Sequence, residues 1–306
     1  MSLRKVVLVG ANGRLGPYIL QALLESGSFQ VSVLTRASSK STYSSNVNVL
    51  KTDDDLPFDQ LVQALRGQDA LVIAFAGTQK DNSIKLANAA FEADIKHIIP
   101  ADFGSCDSSD QKSLDLIPLY VAKKDVRDHL IELAKKTRGD GSSLSWTSLI
   151  NGHFFDYGLK SGLLSINLEK GTTRTFDGGK HKFAATKLAD IGLATARILQ
   201  KADNSRLKNK LVCIQSVQIT QNELVPVVEE VTGKKLQVED VKSEDFIREY
   251  KDKLQQDPGN HDVTEELVTV GGIVRTNWDD RGDAYVNDLV GLSLRDLKSS
   301  VQEALK

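Results

Sequence analysis

Gly10, Gly13 and Gly16 recur at a regular interval in the run Gly10-Ala11-Asn12-Gly13-Arg14-Leu15-Gly16. Glycine lets a backbone turn tightly and approach a ligand closely, and the first N–H groups of a helix hold an anion. Between a strand and a helix, such a run makes a seat for a pyrophosphate. Gly10, Asn12, Gly13, Arg14, Leu15 and Gly16 are the expected contacts. A second group, Thr35-Arg36-Ala37-Ser38-Ser39-Lys40, offers a guanidinium, hydroxyls and an ammonium with no acid among them. A free ribose 2′-hydroxyl is read by Asp or Glu, whereas a 2′-phosphate is held by cations. Arg36 and Lys40 therefore predict NADPH rather than NADH.

Proton chemistry has fewer candidates. On a charged helix expected from about Leu119 to Thr137, the residues Leu119, Ala122, Val126, Leu130 and Leu133 gather on one face at roughly 100° per residue. Lys123 falls inside that face, and Lys124 points about a quarter-turn away, toward solvent. A lysine desolvated beside a cofactor gives up its proton more readily and can exchange it with substrate. Tyr120 and Lys124 also form a Tyr-x-x-x-Lys pair, in which the lysine would lower the tyrosine pKa, but both are expected on a flank of the helix. Asp102, in Pro100-Ala101-Asp102-Phe103-Gly104, is read as the partner of a helix N-terminus rather than as an acid. Asn151, His153 and Phe154 are expected substrate contacts, with His153 open to a second reading as a hydrogen-bonded structural histidine. No cluster of His, Cys, Asp or Glu has metal-ligand spacing, and no Gly-x-Ser-x-Gly elbow occurs.

The elements that must position these residues alternate. Val6-Val7-Leu8-Val9 reads as a buried strand, followed by a helix from about Leu15 to Ser26. Strands are expected at Gln30–Thr35, Val47–Leu50, Ala70–Phe75, His97–Ile99 and Leu144–Leu149, with helices at Phe58–Leu65 and Ser83–Ala93 between them. The strand from Ala70 ends at Phe75 and Ala76, which places those two beside the cofactor as well. Six strands in this rhythm predict an α/β fold, a doubly wound parallel sheet with ligands along its carboxyl ends. Beyond Asn151 the rhythm changes to short segments, a Gly178-Gly179 turn, a helix near Leu188–Leu199 and two later helices. The expected organisation is a dinucleotide-binding domain over residues 1–150 and a smaller mixed α/β substrate lobe over 151–306. Phe154, Phe155, Tyr157, Leu159, Leu163, Phe246, Tyr250, Val270, Ile273 and Trp278 could wall an apolar pocket there or simply make core.

Composition narrows the class. The chain has 306 residues, long enough for ample core, and its 39 basic against 41 acidic residues offer no field for nucleic acid or an anionic membrane. No apolar run reaches spanning length, and with a strand expected from the outset a secretory leader is not expected. Cys106 and Cys213 are too few for a disulfide framework, so a cytoplasmic monomer or homodimer with a small-molecule substrate is expected.

Taken together, the glycine run, Arg36, Pro100-Ala101-Asp102-Phe103-Gly104, Lys123-x-x-Val126-Arg127 and Asn151-Gly152-His153-Phe154-Phe155 resemble the isoflavone reductase-like branch of the NmrA-like atypical short-chain reductases. The segment Ala101 to Asp107 looks most like fungal members. The resemblance implies NADPH, hydride transfer from the nicotinamide and a helix lysine that relays a proton, matched here by Lys123. The chain departs from plant members at Ala101, where they carry a serine, and at Asp128, where they carry a second arginine. The function expected is reduction of a small aromatic or polyketide-like metabolite. The alternatives are a non-catalytic dinucleotide sensor of the NmrA type and a non-redox isomerase or cyclase.

Overall fold

A computed structural model describes residues 3–306. The chain divides into two units. The first runs to Phe103 and takes in Ala122–Leu149 and Ile191–Val212; the second comprises Gly104–Val121, Ile150–Asp190 and Cys213–Lys306.

In the first unit, β1 (Lys5–Val9) leads into α1 (Gly16–Glu25), followed by β2 (Gln30–Arg36), β3 (Asn48–Thr52), α2 (Phe58–Leu65), β4 (Ala70–Ile73), α3 (Lys80–Glu92) and β5 (His97–Ile99). After α4 (Gln111–Leu114), which belongs to the second unit, α5 (Pro118–Ala134) leads to β6 (Ser145–Ile150). The sheet order runs β3-β2-β1-β4-β5-β6, and each of those pairs is parallel. The order reverses between β1 and β4, so a crevice opens there at the carboxyl ends. Both faces are covered, as a parallel sheet requires. Val7, Leu71, Ile73 and Ile98 share one apolar cluster with Leu61 and Leu65 of α2, Leu86 of α3 and Leu130 of α5. Val6 and Leu8, which point the opposite way along the pleat, are equally buried.

The sheet has one strand more than the alternating pattern predicts. The chain passes through β7 (His153–Phe154), α6 (Phe155–Ser161), β8 (Ile166–Asn167), β9 (Thr172–Phe176), β10 (Phe183–Thr186) and α7 (Leu188–Gln200) before β11 (Lys210–Cys213) joins the edge beside β6. The four residues of β11 follow a polar, lysine-rich turn, and neither their length nor their spacing marks them as sheet rather than loop.

The second unit adds β12 (Val217–Ile219), α8 (Gln221–Thr232), β13 (Gln237–Val241), α9 (Ser243–Gln256), α10 (His261–Val274), α11 (Asn287–Val290) and α12 (Leu297–Leu305). The two late helices expected from sequence become five. Two three-stranded sheets, β12-β10-β7 and β13-β9-β8, carry them. Thr220 starts α8 with a capping box closed by Glu223, which satisfies N–H groups that the first turn would leave open. Phe155, Leu159, Phe246, Val270 and Ile273 all enter one buried cluster, with Tyr250 packed against it. Trp278 is buried too and donates its indole N–H to the Ile214 carbonyl at 3.1 Å. Most of the aromatic and aliphatic groups considered for a pocket wall therefore make core.

Candidate active site

The glycine run behaves as its spacing requires. Gly10 has φ +84°, and a Cβ there would lie 2.7 Å from the main-chain carbon of Ala74, where the sheet order reverses. A Cβ on Gly16 would lie 2.1 Å from the Gly10 carbonyl oxygen. Gly13 differs from both. Its N–H closes the turn on the Gly10 carbonyl at 3.0 Å, and a Cβ there would meet that oxygen at 3.3 Å, a tight contact but not an impossible one. Gly10 and Gly16 are thus needed by the turn itself, whereas Gly13 is exposed at its outside. The helix beyond has no side-chain N-cap and no acid in its first turn, and Pro17 lies at its start. Its leading N–H groups are not claimed by a capping side chain, which suits an anion. Leu15 is buried under the turn, while Asn12 and Arg14 are exposed. The Asn12 amide donates to the Ser41 hydroxyl, tying the turn to the loop after β2.

That loop carries the expected cations. Arg36 and Lys40 are both exposed, at and just beyond the carboxyl end of β2. Sequence reading missed a carboxylate beside Arg36. Asp54 follows β3, and because β2 and β3 run parallel in register, its Oδ1 accepts the Ser38 N–H at 3.1 Å. The Ser38 hydroxyl and N–H, with a lesser contribution from Arg36, hold the Asp54 carboxyl below its ordinary range. The signal lay in the acidic run Asp53-Asp54-Asp55 directly after a strand parallel to β2. On the other side of β1, Phe75 is half-buried and Ala76 exposed beyond the end of β4.

The turn after β5 and one face of α5 form the second part of the site. The Asp102 N–H folds back onto the Pro100 carbonyl at 2.8 Å, and Phe103 next to it is held at φ +33°. Such strain in a non-glycine residue persists where its surroundings over-determine it. The Lys123 ammonium donates to the main-chain carbonyl of Asp102 and lies 4.0 Å from its Oδ1. The Lys123 side chain is only 9% exposed. Asp102, Lys123, Val126, Pro100, Ala101, Ser83 and Gly77 line a small pocket of about 10 Å3, room for about one water molecule. Asp102 is not the partner of a helix N-terminus. Its Oδ2 accepts Arg127 Nη1 at 3.1 Å and the Ser148 hydroxyl at 2.5 Å, because α5 packs with Arg127 turned inward, one turn beyond Lys123.

Lys124 reaches outward as expected, 38% exposed and paired with Asp128. Tyr120 is not on an open flank. It is 1% exposed, its hydroxyl shares a hydrogen bond with Ser105 at 2.7 Å, and it packs among Cys106, Leu116, Ile117, Leu254 and Leu267. The first turn of α5 meets a cluster that the periodicity of one helix cannot reveal.

The remaining expected residues lie in the second unit. Asn151 is fully buried; its N–H reaches the Gly104 carbonyl at 3.1 Å and its amide donates to the Gly152 carbonyl. His153 is 3% exposed with Nε2 at 3.2 Å from the Thr269 carbonyl. Burial, the larger cause, lowers its pKa to about 4 against that bond, so the imidazole is neutral and Nε2 is the donor. Room for the ring comes from Gly272, where a Cβ would lie 2.1 Å from Nε2. This geometry favours the structural reading of His153. Phe154 is half-buried. A wide polar groove of about 860 Å3 lies in the same unit, lined by Leu163, Arg174, Glu239, Glu265, Glu266 and Thr269 among others. Among the described residues no group of three or more His, Cys, Asp or Glu could hold a metal ion, and no helix is long and apolar enough to cross a membrane.

A doubly wound parallel sheet with a glycine turn at its reversal point defines a dinucleotide-binding fold. The chain belongs to the NmrA-like family, whose model matches residues 2–257. It is 30% identical over 244 residues to Oxidoreductase aprR of Aspergillus flavus, covering 80% of this chain and 79% of that one. It is 26% identical over 271 residues to the phenylcoumaran benzylic ether reductase Betv6 of Betula pendula, covering 83% and 82%. Among solved structures, the binary complex of leucoanthocyanidin reductase with NADPH from Vitis vinifera superposes with a TM-score of 0.74 over 99% of this chain and 100% of that one. At 18% identity that likeness speaks for the fold.

Proposed function

We propose that this protein is an NADPH-dependent reductase of a small aromatic or polyketide-like metabolite, with Lys123 relaying the proton that accompanies hydride transfer. The observation that supports it most is the buried ammonium of Lys123, which lines a small pocket at the carboxyl end of the sheet. The Gly10-to-Gly16 turn and the start of α1 would hold the pyrophosphate, and Arg36 and Lys40 the 2′-phosphate. Phe75 and Ala76 would border the cofactor beyond β4. When bound, NADPH supplies a hydride to an electrophilic carbon.

The protein's own part is to hold the substrate and manage the proton. A ketone, enone or benzylic ether that accepts hydride leaves an oxygen anion, and an ammonium beside it can donate. Lys123 is placed by a main-chain carbonyl, a neutral acceptor that orients the ammonium without compelling it to stay charged. Asn151 and His153 hold the segment that carries the half-buried Phe154. The relatives' names support an aromatic substrate class, and the core roles of the second unit's aromatic residues leave its identity open to experiment. A cofactor sensor has no use for a buried proton donor, which favours the enzyme.

The test is NADPH consumption against a panel of aromatic ketones, enones and benzylic ethers, with product mass recorded. A product heavier by two hydrogens, formed as NADPH is oxidised, is expected. Turnover without NADPH oxidation would indicate an isomerase, and cofactor binding without turnover across the panel would favour the sensor.

A further inference from the structure

Lys123 does not sit in a simple ion pair. Asp102 uses Oδ2 to accept both Arg127 and Ser148, while its Oδ1 is shielded from water, receives no hydrogen bond and lies 4.0 Å from the lysine nitrogen. The ammonium's own bond goes to the main-chain carbonyl of the same residue. Two cations therefore share one carboxylate in a place where side-chain exposure is 9% for Lys123, 6% for Arg127 and 3% for Asp102. Charges so shielded act on one another with little screening.

We propose that Asp102 and Arg127 form an opposed pair of positioning residues that sets the proton affinity of Lys123. Asp102 alone would bind the lysine's proton tightly and keep it permanently charged. Arg127 offsets that carboxylate, so that a protonated Lys123 is the surplus charge of the group and a neutral Lys123 leaves the group balanced. The proton becomes releasable because a second cation stands behind the carboxylate.

Further ion pairs involve residues of α5. Lys80 from α3 bonds Asp125 at 3.0 Å, and Lys124 bonds Asp128 on α5 itself; both pairs are well exposed. Ser83 from α3 and Ser148 from β6 are the uncharged polar neighbours. Asp102 and Arg127 are the buried charges joined to the lysine through one shared carboxylate.

The inference rests on Lys123 as the proton carrier for its functional meaning, but its test needs neither substrate nor cofactor. The full-length protein is prepared with 13C,15N-lysine, and the Lys123 side-chain resonance, assigned by its loss in Lys123→Arg, is followed against pH. Asp102→Asn should lower the titration midpoint by about one pH unit or more, and Arg127→Gln should raise it by a similar amount, while Arg127→Lys stays within about half a unit of the parent. A structural role would move both variants the same way or neither, and either result overturns the proposal. Single variants leave a buried charge uncompensated and can fail to fold. The double variant Asp102→Asn/Arg127→Gln leaves a neutral pair and should titrate like the parent; a displacement beyond about one pH unit overturns the proposal on its own. The outcomes are separable from those of the reductase reading. Opposed shifts in a lysine whose removal spares turnover would leave the charge pair standing and remove only its catalytic meaning.

Discussion

At the end of β2, a carboxylate shares the loop with two cations. Arg36 and Lys40 invite a phosphate, and Asp54, which also feels the charge of Arg36, has both Ser38 donors as its main partners. An acid occupied in this way is poorly placed to accept from a ribose 2′-hydroxyl, so the cations decide the preference. NADPH should bind at least about tenfold tighter than NADH, which asks about 1.4 kcal/mol of charge-assisted hydrogen bonds. Titration of both cofactors by intrinsic fluorescence checks this, and Arg36→Ala should lose most of the preference. Asp54→Asn keeps an acceptor for Ser38 and removes a negative charge near the phosphate, so it should tighten NADPH by about two- to fivefold with NADH unchanged. Equal affinities in the parent would sink the assignment of this loop.

At the scale of elements, the three glycines separate into two kinds. Gly10→Val and Gly16→Val force a side chain into main-chain atoms at 2.7 and 2.1 Å and should damage the turn and the packing of α1 on the sheet. Gly13→Val meets its nearest atom at 3.3 Å. It should fold, as judged by circular dichroism, yet lose dinucleotide binding, because its branch stands where the pyrophosphate approaches. Normal NADPH binding by a folded Gly13→Val protein would show that the phosphate passes elsewhere.

The same elements show what could be read from the chain alone. The strands β1 to β6 and their helices were legible because each has a full period of apolar residues and a turn to close it, as Phe58–Leu65 and His97–Ile99 illustrate. Lys123 was legible because it falls inside the apolar stripe of a long helix. Asp54 and the burial of Tyr120 were not, since one depends on strand order and the other on a cluster brought to α5 by distant segments. Arg127 was visible only as a spacing mark. That a charged residue turns inward follows from the carboxylate waiting for it, and the identity of that carboxylate is a tertiary fact.

For the whole molecule, two buried histidines make stability depend on pH. Burial lowers the pKa of His97 to about 3 and of His153 to about 4, from an ordinary 6.5. The unfolded chain therefore binds protons that the folded one refuses. The stabilisation is fully present above pH 6.5 and is lost as pH falls from there toward 4. Each histidine should contribute a slope approaching about 1.4 kcal/mol per pH unit in that window. Urea denaturation between pH 7 and 5 measures it, and His153→Gln should remove about half of the dependence. A flat profile would mean that these rings are more accessible to protons than their burial implies.

The proposed proton relay turns on Lys123, so turnover of the whole enzyme with that residue altered tests it most directly. With any substrate that the parent reduces, Lys123→Ala should lower the rate of NADPH oxidation by about 10²–10⁴-fold while its NADPH affinity is little changed. Lys124→Ala should stay within a few fold of the parent, since its ammonium is exposed and paired with Asp128. The contradicting result is a Lys123→Ala enzyme at full rate beside Tyr120→Phe and Lys124→Ala enzymes that are nearly inactive, which would hand the proton to the tyrosine–lysine pair.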